Sequence, residues 1–413
     1  MPRDASDLSD PRSLLSAKAV RERSHCLLEM GLKDQLPHFR IDLARLDAIA
    51  DLVLATTRQN YPSGDIPFHS RWRHFVSGGA DRWAAIAGRA RWPDAAAQAR
   101  AEFDLAIVSV LLDAGAGPSW RYRDASGARV GRSEGLALAS LDMFASGLFS
   151  ADPNDPLRAD AQALARLSVA ELERGFQVGA DNPLVGIDGR AALLRRLGDL
   201  LAARPDIFAG RDGARPGGLF DHLAAQARDG HIDAPTVLSE LLSELGPIWP
   251  SRITLDGVAL GDCWRHPALA DGTATGELAP LHKLSQWMTY SLIEPLQRAG
   301  LVVDDVDGLT GLAEYRNGGL FVDGGVLSLR HAEDATRAHE VASPLIVEWR
   351  ALTVALLDEL AAKLRQRLGQ DATSLPLAKI LEGGTWATGR ALAYERRPDG
   401  SPPLQVISDG TVF

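Results

Sequence analysis

At 413 residues, with 46% hydrophobic content and a formal charge of −10, the chain can bury a large core. It lacks the clustered excess of lysine and arginine on which affinity for a nucleic-acid backbone rests. Its two cysteines, Cys26 and Cys263, stand in unrelated contexts without zinc-site spacing, so no disulfide, metal or cofactor is expected and the setting reads as reducing and cytoplasmic. The first residues carry acids where a secretory leader carries bases, and no stretch is apolar for the length a bilayer requires; the expected partner is a small molecule.

The first 20 residues read as an N-terminal extension, and helical periodicity dominates from residue 21. In DLARLDAIADLVLATTRQNY the apolar positions Leu43, Leu46, Ile49, Val53 and Leu54 fall at spacings of three and four, one face of a helix. Residues 94–112 repeat that pattern between Pro93 and Gly115. Trp120 and Tyr122 then alternate with Arg121 and Arg123 before the turn-prone DASG, which predicts a hairpin reaching Val130. Glu134 stands at a helix start, where the dipole favours an anion, with Asp142 in mid-helix. Ser168 and Glu171 have capping-box spacing, and Leu193, Leu194, Leu197, Leu200 and Leu201 stripe a helix over 189–202. The Gly/Arg-rich stretch 209–218 is the candidate mobile loop. Further helices are expected at 236–245, at 280–299 with an irregularity at Pro295, and at 344–367 after Ser343. GGLFVDGGVLSL reads as a second hairpin, turning at Asp323, Gly324 and Gly325 between Phe321 and Val326. The expected fold is mainly α, a single helical domain over residues 21–413 with short β-hairpins.

Dinucleotide, P-loop, zincin and nucleophile-elbow signatures are all absent, so chemistry has to sit in polar clusters that a helical core would not otherwise need. The segment YPSGDIPFHSRWRHF is one. Arg71 and Arg73 have the fork geometry that matches a phosphate, Phe68 and Trp72 can wall a pocket, and His69 and His74 are five apart, which disfavours a metal pair on one helical face. An amphipathic elbow pairing its arginines with carboxylates is the alternative. In LTGLAEYRNGG, Glu314 lies among small and apolar residues beside Tyr315, Arg316 and Asn317; such a carboxylate is either a structural partner of Arg316 or poised for catalysis. His282, Lys283 and Gln286 fall within about one helical turn, with His282 and Gln286 at the spacing that shares a face. Glu348 and Arg350 interrupt an apolar helix start and read first as a buried ion pair.

At FHSRWRHF, LLDAGAG, GRSEGLALASLDMF, NPLVGIDGRAALLRRLG, HKLSQW, LTGLAEYRNGG, VEWRALTV and the terminal SDGTVF the chain resembles the uracil catabolism protein four family of fungi and bacteria. The resemblance runs from about residue 20 to the end. It implies a place in reductase-independent uracil degradation, after the ring has been opened on its ribose, and release of urea from ribosylurea or its 5′-phosphate. A fainter similarity joins several of these strings to the queuosine 5′-phosphate N-glycosylase, or queuosine salvage, family, whose helical fold is related to helix-hairpin-helix DNA glycosylases. Its acid followed by Tyr and Arg is matched by Glu314, Tyr315 and Arg316, and its Lys and Gln three apart by Lys283 and Gln286. Its Pro-Leu-Val after a turn is matched by Pro183, Leu184 and Val185, and its Val-Glu-x-Arg by Val347, Glu348 and Arg350. The acid here is Glu where that family has Asp, and this chain is longer.

Both resemblances imply an N-ribosyl hydrolase with Glu314 as the catalytic carboxylate beside Tyr315 and Arg316. Phe68, His69, Arg71, Trp72, Arg73, His282, Lys283, Gln286, Asn317, Glu348 and Arg350 are the candidate substrate-binding residues. Urea is a poor anionic leaving group, so a proton donor is required, with Tyr315, His282 and Gln286 the candidates by neighbourhood; Arg71, Arg73 and Lys283 are those for a phosphate. The alternatives are a ureido or amide hydrolase and a non-catalytic ligand-binding protein of the same pathway.

Overall fold

Helices form where the periodicity places them, and their ends follow local capping chemistry. The computed structural model describes residues 10–113, 115–117, 119–210, 213–249 and 253–407. Ala114 within LLDAGAG, residues 211–212 of the candidate loop and the terminal SDGTVF lie outside the described residues. By its internal packing the chain divides into two compact units: one of Met1–His69, Ser251–Gln286 and Asp305–Ser408, the other of Ser70–Pro250, Trp287–Asp304 and Asp409–Phe413. The strand pairs among the described residues are all two-stranded and short.

In the first unit, the helix Ala17–Leu32 is capped by the Ser16 hydroxyl on the Ala19 N–H. It buries Ala17 and Val20, so position 20, read as the end of an extension, lies within a core helix. Leu46–Asn60 buries Leu46, Ile49, Val53 and Leu54, the expected stripe, while Leu43 falls in the 3-10 turn Leu43–Arg45 ahead of it. Pro344–Leu368, capped by Ser343 and closed by left-handed Gly369, is buried on nearly all sides over its first four turns.

GGLFVDGGVLSL departs from the hairpin reading. Its first half is the helix Tyr315–Asp323, and only Leu327–Leu329 is a strand, paired antiparallel with Phe39–Ile41. Two things tip the balance: Glu314 caps the helix, and glycines let neighbouring elements approach its backbone. A Cβ at Gly318 would lie 2.7 Å from the Trp349 ring, and one at Gly389, on the packed helix Trp386–Arg396, would run into the Arg316 carbonyl.

The second unit contains Ala95–Leu111, Ile187–Ala203 and Ala234–Leu245, within two residues of the helix bounds read from sequence, and Arg132–Ala145, which starts two residues before Glu134. Leu193, Leu194, Leu197 and Leu201 are buried, each contributing about 1.5–3 kcal/mol relative to exposure. The hairpin pairs Tyr122–Arg123 with Arg129–Val130, and Ser168 and Glu171 form the reciprocal capping box. The Gly/Arg-rich stretch pairs Ala209–Gly210 with Gly213–Ala214. Buried Asp104 anchors three segments, accepting from the Ala159 and Gly217 N–H groups and from Arg215. Lys283–Arg298 runs through Pro295, and the division of the chain at 286/287 falls inside it.

Gly389→Ala should destabilise the protein by about 1–3 kcal/mol, because the obstructing atom is backbone rather than a flexible side-chain end. Denaturant unfolding checks this; an unchanged midpoint would contradict the packing described.

Candidate active site

In the first unit a single buried ion pair fixes three segments of chain. Asp262 accepts from both Arg350 terminal nitrogens at 2.8 Å, from Trp264 Nε1 at 2.6 Å and from the Lys283 backbone N–H at 2.9 Å. Its main-chain carbonyl takes the N–H groups of Leu281 and His282. Arg350 Nε donates to the Ala313 carbonyl at 3.2 Å, immediately before Glu314. Burial alone would push the Asp262 carboxyl up, but the charge of Arg350 and the donated hydrogen bonds outweigh it and hold it well below the usual carboxylate range.

The helix Lys283–Arg298 therefore begins under a side chain from another segment. His282 precedes it in the left-handed region (φ 47°), buried, with Nε2 on the Leu14 carbonyl at 3.0 Å, and burial holds its imidazole below the ordinary value. It consequently shares no helical face with Gln286, as the spacing had suggested. Gln286 is also buried: its amide nitrogen donates to Thr310 Oγ1 at 2.9 Å and its oxygen accepts from the Thr310 N–H. Both residues hold the backbone that leads to Lys283 and Glu314.

Glu314 is the N-cap of Tyr315–Asp323, its two oxygens accepting from the Arg316 N–H at 2.7 Å and the Asn317 N–H at 2.5 Å. It is 9% exposed. Burial raises its carboxyl above the ordinary glutamate value, opposed by those two backbone bonds and by the positive charges of Lys283 and His69. Arg316 reaches away from Glu314, donating to the Gly400 carbonyl at 2.8 Å while its guanidinium stacks 4.9 Å from the centre of the Tyr315 ring. A Glu314–Arg316 link, one of the two readings of the sequence, is thus made by the Arg316 backbone and not by its side chain. Asn317 is buried, with Oδ1 unpartnered.

Two residues that the sequence reading had not singled out join His69. Glu382 accepts from the Tyr61 hydroxyl at 2.7 Å and meets His69 Nδ1 at 2.8 Å. Glu382 sits on the π-helical turn Leu381–Thr385, an uncommon conformation that occurs mostly as single turns within α-helices and is frequent at functional sites. Gly383 and Gly384 allow it: a Cβ at Gly384 would lie 2.5 Å from Thr57 Oγ1 and 2.6 Å from the Val53 carbonyl. The signal in the sequence was an acid followed by two glycines inside an apolar stretch, ILEGGTW.

Other candidates take structural places. Glu348 pairs not with Arg350 but with His266 Nε2 at 3.2 Å, and it accepts the Phe39 N–H at 2.9 Å; residues two apart on a helix point to different sides. In the second unit, Arg71 is fully buried, bound to Asp113 at 3.0 Å and Ser109 at 2.6 Å, which corrects its reading as a phosphate ligand: its charge is already matched inside the protein. Arg73 pairs with Glu294 at 2.8 Å, and Trp72 is buried with its N–H on the Ser291 carbonyl. The segment divides between the units at His69 and Ser70, with Phe68 half-buried in the first. Burial pushes the Cys263 thiol up, the reverse of an activated nucleophile. Among the described residues no helix is long and apolar enough to cross a membrane, and no three His, Cys, Asp or Glu side chains are grouped to hold a metal ion.

A buried capping carboxylate opposed by a lysine and a histidine marks a candidate catalytic centre in a mainly helical protein. The chain belongs to the DUF1688 family, described as a protein of unknown function, whose model matches residues 13–413. It is 40% identical over 410 residues to Protein urg3 of Schizosaccharomyces pombe, covering 97% of this chain and 98% of that protein. It is 36% identical over 411 residues to Uracil catabolism protein 4 of Lachancea kluyveri, covering 91% and 92% respectively.

Arg350→Met should destabilise the protein by about 3–5 kcal/mol, because Asp262 is left as an uncompensated buried charge, and the double variant Asp262→Leu with Arg350→Met should recover part of that loss. Asp262 contributes stability that is full above its unfolded value and is lost as pH falls through its depressed folded one. The wild type should therefore lose stability towards acid pH more steeply than the double variant. Parallel acid slopes in chemical unfolding would contradict this.

Proposed function

We propose that this protein acts in uracil catabolism as an N-ribosyl hydrolase, splitting ribosylurea, preferentially as its 5′-phosphate, into urea and ribose 5-phosphate. The observation that carries this is Glu314, a buried carboxylate held by two helix N–H donors and opposed by Lys283 and His69. Near-full-length similarity to a protein named for uracil catabolism supports the pathway.

Breaking the C1′–N bond builds positive charge on the sugar, and an oriented carboxylate in a low-dielectric site stabilises that charge and takes a proton from the attacking water. Glu314 is already oriented by the helix it caps, so little reorganisation is needed during reaction. A cap contributes about 1 kcal/mol to stability, whereas an electrostatic stabiliser removed from an active site costs about 2.7–4 kcal/mol in the barrier. Loss of the charge should therefore show in turnover more than in folding. Glu314→Gln should lower kcat by at least about a hundredfold and leave thermal stability near wild type, because the lost charge was itself disfavoured by burial. Near wild-type turnover would refute the role.

The pH dependence has a definite sign. Glu314 is raised, so its anion is lost as pH falls through a value above the ordinary glutamate range, and activity should fall there too. Lys283 favours the anion, so Lys283→Met should move that acid limb to higher pH. An unmoved limb would mean that the titrating group is another one.

Arg71 and Arg73 are bound to Asp113 and Glu294 in the second unit, and we assign the phosphate contact to Lys283 because its positive charge acts on Glu314 within the first. One charge-assisted contact is worth about 1.5–3 kcal/mol, so Lys283→Ala should reduce the preference for the 5′-phosphate about ten- to a hundredfold. Arg73→Ala should leave it unchanged. Kinetics on both substrates check this, and a preference lost with Arg73 would overturn the assignment. The buried, raised thiol of Cys263 counts against a cysteine-dependent amide hydrolase.

A further inference from the structure

The reaction needs a proton for the departing urea, and two of the three residues first considered for it are taken, His282 by the Leu14 carbonyl and Gln286 by Thr310, while the third, Tyr315, carries the Arg316 guanidinium on its ring. The first unit holds a different group with the right chemistry. Tyr61 donates to one oxygen of Glu382, whose other oxygen lies 2.8 Å from His69 Nδ1, and the His69 main chain is tied to the same region through its N–H on the Ala378 carbonyl. A carboxylate on Nδ1 fixes an imidazole in the tautomer that carries the Nδ1 proton and makes Nε2 the nitrogen that exchanges protons. His69 is also near enough to Glu314 for its charge to favour the Glu314 anion.

The turn that presents Glu382 is costly to build. It is π-helical, and it requires two glycines where Thr57 and the Val53 carbonyl come within contact of any side chain. A merely structural carboxylate needs no such placement.

Resting on the hydrolase reading above, we propose that His69 is the proton donor to the leaving group, with Glu382 and Tyr61 as its positioning residues. As the C1′–N bond breaks, its electron pair passes to the urea nitrogen, which takes the Nε2 proton of protonated His69. Water adds to C1′ and gives a proton to Glu314. Ribose 5-phosphate and urea leave, and passage of that proton through solvent from Glu314 back to His69 restores both groups, so one water is consumed.

The test compares ribosylurea 5′-phosphate with the 4-nitrophenyl riboside 5′-phosphate, whose nitrophenolate leaves without a proton. His69→Gln should lower kcat about a hundredfold or more on the first and less than about tenfold on the second. Glu382→Gln should follow the same pattern with a loss of about ten- to a hundredfold, and Tyr61→Phe, which removes one hydroxyl, with about three- to tenfold. Glu314→Gln should lose equally on both. Equal losses on the two substrates for His69→Gln, in a variant with wild-type circular dichroism, would overturn the donor assignment while leaving the hydrolase reading intact. Nitrogen-15 spectra test the geometry without substrate: neutral His69 should carry its proton on Nδ1, and an Nε2-protonated tautomer would overturn the role of Glu382. Failure of the wild type on both substrates would remove the hydrolase reading, and the donor role with it.

Discussion

The bidentate pair between Asp262 and Arg350 is the constraint on which the first unit's chemistry depends. Each partner also holds backbone: Asp262 takes the N–H groups that start the Lys283 helix, and Arg350 takes the carbonyl just before Glu314. Two chain segments that carry opposite charges are thereby set against one common fastening. The pair gives little net stability over an apolar replacement, since desolvation offsets most of the attraction; what it gives is position. Exposed pairs such as Asp47 with Lys363 have no comparable leverage, because water and salt screen them.

Around that fastening, polar side chains are engaged with backbone. Gln286 holds Thr310, His282, itself left-handed next to the helix start, engages the Leu14 carbonyl, and Glu348 satisfies the Phe39 N–H while meeting His266. Loops brought into a core require this, because every unpaired N–H or carbonyl there is destabilising. Glu314 serves the same purpose as a cap, yet it differs from Asp262 in sign. Asp262 is held below the ordinary carboxylate value and Glu314 is raised above it. Two buried acids of one unit are thus pushed apart by environment, the lower one structural and the higher one suited to proton transfer.

Much of this was legible in the sequence. Helices at 46–60, 95–111, 187–203 and 344–368 follow from apolar spacing and caps, because amphipathic periodicity is a local record of which face is buried. The burial of Glu314 was legible for a related reason, an acid set among small and apolar residues. The helix Tyr315–Asp323 was not, since paired glycines resemble a turn until Trp349 is known to pack against them. Arg71 read as a phosphate ligand because Asp113, its partner, is 42 positions away. Glu382 is 313 positions from His69, and no spacing rule connects them. What sequence withholds here is the identity of long-range partners, which decides whether a charged residue is committed within the protein or offered to a ligand.

In the proposed reaction the bond broken joins sugar to nitrogen, and every role assigned to Glu314, Lys283 and His69 depends on that choice. The most direct measurement is the identity of the products formed from ribosylurea 5′-phosphate by the purified wild-type protein. Intact urea and ribose 5-phosphate should appear in equal amounts. Ammonia and carbon dioxide, or no turnover by the folded protein, would contradict the proposed cleavage.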